Sequence, residues 1–256
     1  MRSSILSILF LGFAATMAMA DHHETDKQFI EVRYYRFKSI EAAAKSDDYL
    51  VNALVPALNR AGSKQIGVLR EEEQQEQPLR VVIIPHESVH AFAGLTDKLA
   101  GDEVYQSEAA DYLQQSKRTT SLVRIQSELL YSFDCWPRLK LAKELQGGAR
   151  IFELRIYESA TEHFGNLKVE MFNAGEVPIF LDSGIEPVFM GQALAGDKMP
   201  NLTYMTAYAD QAAKDAAWDN FRKHPDWKVL SKKAKYKETV SKIHKLNLLP
   251  VDGSQL

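Results

Sequence analysis

Apolar and charged residues alternate through Ile30-Glu31-Val32-Arg33-Tyr34, and this period of two predicts a strand over residues 28–37. The same alternation returns at Phe152-Glu153-Leu154-Arg155-Ile156-Tyr157 and predicts a second strand over 150–158. A change of period follows: Phe164, Leu167, Lys168 and Met171 fall at helical spacing, with only the lysine polar, and Thr161 is placed to cap that helix. Gly184 is placed to end the helical region. Further strands are expected over 65–71 and 79–84, separated by the polar run 71–77, and over 185–192 and 201–208. A second helix follows each of these pairs. In the later stretch it restarts at His224-Pro225-Asp226, where proline suits a first helical turn. Final strands are expected over 124–133 and 242–251.

These elements form an internal repeat. Phe29 to Tyr35 matches Ile151 to Tyr157, Val55-Pro56 matches Val177-Pro178, Gly62 matches Gly184 and Tyr105 matches Trp227, all at one constant spacing. The last strands match at a spacing shorter by about one helical turn. Each copy reads strand, helix, strand, strand, helix, strand, which is the ferredoxin-like βαββαβ order and leaves one sheet face without helices. Two such copies can cover each other's open faces. The expected fold class is therefore α+β, with two tandem ferredoxin-like repeats forming a pseudo-twofold dimeric α+β barrel. The expected divisions are a leader over 1–20, a flexible stretch over 21–27, a first repeat over 28–134, a linker over 135–148 that ends at Gly147-Gly148, and a second repeat over 149–256.

Side chains alternate across a strand, so Glu31, Arg33 and Tyr35 share one face, and Glu153, Arg155 and Tyr157 repeat it. With the apolar set placed toward the helices, the charged set is expected in the space between the two sheets. There the carboxylates and guanidinium groups either pair with one another, fixing register, or form a pocket whose arginines bind an acidic ligand and whose tyrosines add hydroxyls or stacking.

Composition narrows the partners. A formal net charge of −3 argues against a broad basic surface for nucleic acid, and the locally basic stretch 228–245 reads as a solvated helix face. Arg2, an apolar run from Ile5 to Ala15 and Ala18-Met19-Ala20 have the three-part form of a secretory leader, so a secreted or periplasmic location is expected, with no membrane span after cleavage. Cleavage after Ala20 would expose Asp21, His22 and His23, whose amine, amide and imidazole nitrogens suit Cu(II) or Ni(II). No other cofactor is expected, haem included, since only His244 could stand on a cavity strand.

The remaining candidates read as ordinary structure. His86 and His90 stand four apart at an expected helix start, yet two ligands rarely make a zinc site, and surface histidines are the expectation. Cys135, the only cysteine, reads as buried and structural, with an intermolecular disulfide as the alternative. Trp218, Phe221 and Trp227 read as core and cap packing. Glycine-rich phosphate loops, Gly-x-Ser-x-Gly, His-Glu-x-x-His and Cys-x-x-Cys are all missing from the sequence.

Phe152-Glu153-Leu154-Arg155-Ile156-Tyr157, Gly184-Ile185-Glu186-Pro187-Val188 and His224-Pro225-Asp226-Trp227 resemble NIPSNAP domains. The resemblance covers the whole second copy. The first follows more loosely, with Gly101-Asp102-Glu103-Val104-Tyr105 in place of the His-Pro-Asp-Trp segment. It implies a dimeric α+β barrel, a group holding cofactor-independent monooxygenases, haem-binding enzymes and proteins without assigned chemistry. The expected function is an exported NIPSNAP-type ligand-binding or interaction protein. The alternative is a monooxygenase-like or haem-binding enzyme acting on a small aromatic or acidic compound. A small acidic or aromatic partner and a homo-oligomer are both compatible with this reading.

Overall fold

A computed structural model describes residues 26–256. The leader and the Asp21, His22, His23 site lie outside the described residues. In the first half, β1 (Phe29–Phe37) leads to α1 (Ile40–Asp48), a π-helical turn (Tyr49–Leu54) and α2 (Val55–Arg60), then to β2 (Gly67–Glu71) and β3 (Leu79–His86). Four short helices follow, α3 (Val89–Ala93), α4 (Leu95–Ala100), α5 (Glu103–Glu108) and α6 (Ala110–Leu113), before β4 (Leu122–Ser132). The second half repeats the order with β5 (Ile151–Glu158), α7 (Glu162–Met171), a π-helical turn (Phe172–Glu176), α8 (Val177–Asp182), β6 (Glu186–Ala195) and β7 (Asn201–Tyr208). It ends with α9 (Gln211–Lys223), α10 (Pro225–Leu230) and β8 (Lys242–Pro250).

Local chemistry explains the helix limits. The Thr161 hydroxyl accepts from the Phe164 amide at the start of α7, and Pro225 occupies the first turn of α10. Where the second half has the single helix α9, the first half has fragments. Gly94 and Gly101 interrupt the run, and Asp102 starts α5 afresh by accepting from the Tyr105 amide.

The eight strands close into one barrel in the order β1-β3-β2-β8-β5-β7-β6-β4, every neighbouring pair antiparallel. Each half supplies four consecutive strands with its first strand in the interior, and the β2–β8 and β4–β6 pairs join the halves. This is the expected α+β fold of two ferredoxin-like units, and closure leaves no sheet edge unpaired.

The orientation of the first strands is the reverse of the expectation. Ile30 and Val32, with Phe152 and Leu154, point into the barrel, where they pack with Leu69, Ile83, Leu130, Met205 and Leu248. Glu31, Arg33, Tyr35, Glu153, Arg155 and Tyr157 face outward beneath the helices, so the two stripes share no interior pocket. The reason is solvation: the inside of a closed barrel meets only the opposite sheet, whereas the outer face meets amphipathic helices that can supply partners and reach water. Each fully buried apolar side chain inside contributes about 1.5–3 kcal/mol, and a charged stripe there would forfeit that.

The expected linker is part of this core. Leu139, Leu141 and Leu145 plug the end of the barrel where β1 and β5 begin, together with Leu256. At that end the Gln28 amide donates to Pro137, the Leu139 amide donates to the Gln28 side chain, and Arg150 donates to the Leu256 carbonyl.

Candidate functional site

The first-half stripe is closed upon itself. Arg33 donates to Glu31 through Nε at 2.5 Å and NH2 at 3.1 Å, and the same carboxylate accepts from Ser127 at 2.8 Å and pairs with His86 at 3.2 Å. Burial alone would raise the Glu31 carboxyl. The hydrogen bonds from His86, Arg33 and Ser127 and the Arg33 charge outweigh it and hold the carboxyl down at about 2. His86 is thus no surface histidine. It ends β3, buried, with Phe92 of α3 edge-on to its ring, while His90 is exposed on α3. Tyr35 lies buried among the tyrosines beneath α1 and α5, and burial raises its hydroxyl pKa.

The second-half stripe lines an open cleft of about 630 Å³ between β5 and β8 and the helices α7, α9 and α10. Arg155 is 7% exposed and donates NH1 to Glu153 at 3.0 Å, while its Nε has no hydrogen-bond partner. Trp218 lies with its ring 4.3 Å from the guanidinium carbon. Behind it, burial raises the Tyr208 hydroxyl pKa, opposed by hydrogen bonding with Thr206 and Trp218. Lys214 reaches Glu153 at 3.4 Å and Asn247 at 2.6 Å. On the other wall, buried Lys168 donates to Glu176 at 2.6 Å and lies 4.6 Å from the Phe172 ring. Burial raises the Glu176 carboxyl, opposed by Lys168 and Arg155. Gly175, at φ 153°, bends the π-helical turn that delivers Glu176, a conformation that favours glycine. The Tyr157 hydroxyl is held by Tyr204 at 2.9 Å, so it borders the cleft without offering a free hydroxyl.

Of the six stripe residues, the structure brings only Glu153, Arg155 and Tyr157 into a cleft. Lys168, Glu176, Lys214 and Lys245 were not singled out as ligands, although a lone lysine on the apolar face of α7 was a visible signal for Lys168. Trp218 and Trp227 are half-buried and line the cleft, beyond the packing role expected of them. Cys135 is half-buried, and burial pushes its thiol up to about 11. No histidine, cysteine or methionine lines the cleft and the Tyr157 hydroxyl is taken by Tyr204, so its residues do not fit haem, whose iron needs an axial donor. Among the described residues no cluster of three or more histidines, cysteines or carboxylates could hold a metal ion, and no helix is long and apolar enough to cross a membrane.

Comparison with known proteins agrees with this architecture. A proposed monooxygenase from Lactobacillus acidophilus superposes with a TM-score of 0.55 at 13% identity, covering 88% of this chain and 94% of that one. A proposed monooxygenase from Fusobacterium nucleatum gives 0.54 at 12% identity, over 88% and 92%. A proposed chlorite dismutase gives 0.50 at 12% identity, over 89% and 96%. No curated protein matches. The family model for NIPSNAP matches residues 152–255, the part of the chain that carries the open cleft. That segment is similar to the NIPSNAP family, and the chain as a whole has the α+β barrel fold of these structures.

Proposed function

We propose that this is an exported NIPSNAP-type binding protein whose second-half cleft takes a small molecule with an aromatic ring and an acidic group. The carrying observation is Arg155 Nε, a buried donor without an acceptor among the described residues, in the cleft wall with the Trp218 ring against its guanidinium. An unsatisfied buried donor costs about 1–3 kcal/mol, and a ligand oxyanion would recover it. Lys168, Lys214 and Lys245 add positive charge to the walls, while Trp227 and the Trp218 ring offer faces for an aromatic group. Export rests on the leader pattern of residues 1–20, and no cofactor beyond the possible N-terminal Cu(II) or Ni(II) is part of this reading.

The test is a titration with aromatic carboxylates such as naphthoate, followed by tryptophan fluorescence and calorimetry. Saturable binding that is lost in Arg155→Met supports the reading; binding that survives this substitution refutes it. A second reading is a cofactor-independent oxygenase. It is favoured by Glu176, whose raised carboxyl lines the cleft and could take a proton from a bound ring hydroxyl. Oxygen uptake with ring-hydroxylated carboxylates, lost in Glu176→Gln while binding persists, would select it.

A further inference from the structure

Opposite the plugged end, the barrel opens into a separate cavity of about 270 Å³. Its walls come from the interior faces of both halves: Leu79 of β3, Leu154 and Ile156 of β5 and Leu246 of β8. At its polar side stand Tyr34 and Glu128. Glu128 is 3% exposed, and its single hydrogen bond is a long one, from the Tyr34 hydroxyl at 3.3 Å.

The other buried glutamates are all better served. Glu31, Glu153 and Glu176 each have a cationic partner, and Glu71 accepts from the Leu79 amide. Among the described residues Glu128 has no ion pair, because Lys198 above it is held by Asp197 at 2.6 Å. Burial accordingly pushes its carboxyl up to about 7, with Lys198 opposing. The turn between β6 and β7 seals this corner. Gly196, at φ 140°, packs so closely that an added Cβ would stand 2.6 Å from Glu128 Cγ.

We propose that the barrel mouth is a second small-molecule site, which takes a neutral ring bearing a hydroxyl group, the ring against Leu154, Ile156 and Leu246 and the hydroxyl donating to Glu128. The volume suits this, since a dry engineered cavity of about 150 Å³ already holds benzene. The charges of the lining balance, Arg36, Lys198 and Lys245 against Glu71, Glu128 and Asp197, so the mouth favours a neutral ligand over an ion of either sign. A poorly satisfied buried carboxyl supplies the acceptor, and loss of that hydrogen bond weakens binding about tenfold.

Titration with p-fluorophenol, observed by fluorine NMR on the full chain, tests the site. The expected result is saturable binding, weakened about tenfold or more in Glu128→Leu, abolished in the cavity-filling Ile156→Trp and retained in Arg155→Met. Leu246→Phe serves as the filling variant if Ile156→Trp does not fold, as judged by circular dichroism. No binding to the wild type, unchanged binding in the Glu128 and filling variants, or loss in Arg155→Met would overturn the proposal. Tighter binding of p-fluorobenzylamine than of the phenol would overturn the ligand class. Because the Arg155 cleft is assayed with carboxylates, failure at one site leaves the other standing.

Discussion

Glu31-Arg33-Tyr35 and Glu153-Arg155-Tyr157 occupy the same place in two sheets of the same topology, and they end in different states. In the first half the Glu31 carboxylate is filled within the protein by Arg33, Ser127 and His86. In the second, Arg155 Nε is buried in a cleft wall without a partner among the described residues. The residues that make the difference are not in the stripe. Ser127 pairs across the sheet from Arg33, whereas exposed Lys245 pairs across from Arg155. His86 ends β3 and completes Glu31, whereas Tyr208 ends β7 and leaves Glu153 to Lys214. Phe92, which stands at the repeat position of Lys214, covers the His86 ring instead of bringing a charge. A charged pattern present in both halves thus becomes a structural clamp or an open site according to what its neighbours supply.

The largest effect that would break this comparison concerns the clamp. Arg33→Met should cost about 3–5 kcal/mol in denaturant unfolding, because it strands a buried carboxylate, and it should leave aromatic carboxylate binding intact. Equal loss of binding from Arg33→Met and Arg155→Met would mean that the halves do not differ as described. Next is acid sensitivity. The Glu31 carboxyl is depressed from 4.5 to about 2, so its contribution of about 3 kcal/mol is present above pH 4.5 and fades as pH falls toward 2. Stability curves of the wild type and Glu31→Gln should therefore converge across that window, and parallel curves would refute the assignment.

A smaller effect is expected from His86→Tyr, which copies the second half. It should cost about 1–2 kcal/mol through the lost partner of Glu31 without creating carboxylate binding, since Phe92 still fills the place of Lys214. The smallest is Lys245→Ser, which copies the first half in the opposite direction. Removing an exposed rim charge should weaken naphthoate binding roughly threefold and flatten its salt dependence, with no change in unfolding. A tenfold or greater loss would move Lys245 from the rim to the centre of the site.

The strand and helix order was legible because period-two and helical patterns, together with Thr161 and Pro225 at helix starts, are local properties of the chain. The repeat, and with it the pairing of two ferredoxin-like units, followed from matched residues such as Val55-Pro56 and Val177-Pro178. The alternation in β1 also showed correctly which side chains share a face. What it could not show was which face turns inward, since a strand with one apolar and one charged face reads the same from either side. That choice fell to barrel closure, which makes the space between the sheets the driest in the molecule and sends Glu31 and Glu153 outward.

The site followed the same division. The sequence by itself determined that Arg155 would need a partner, because its place on a central strand ensured burial. Only the tertiary structure decided that Lys214 from α9, Lys168 from α7 and Lys245 from β8 would converge there, and that Glu128 would be left nearly alone at the barrel mouth. Those residues come from separate elements, and their distances depend on how helices and strands pack, which no local pattern encodes.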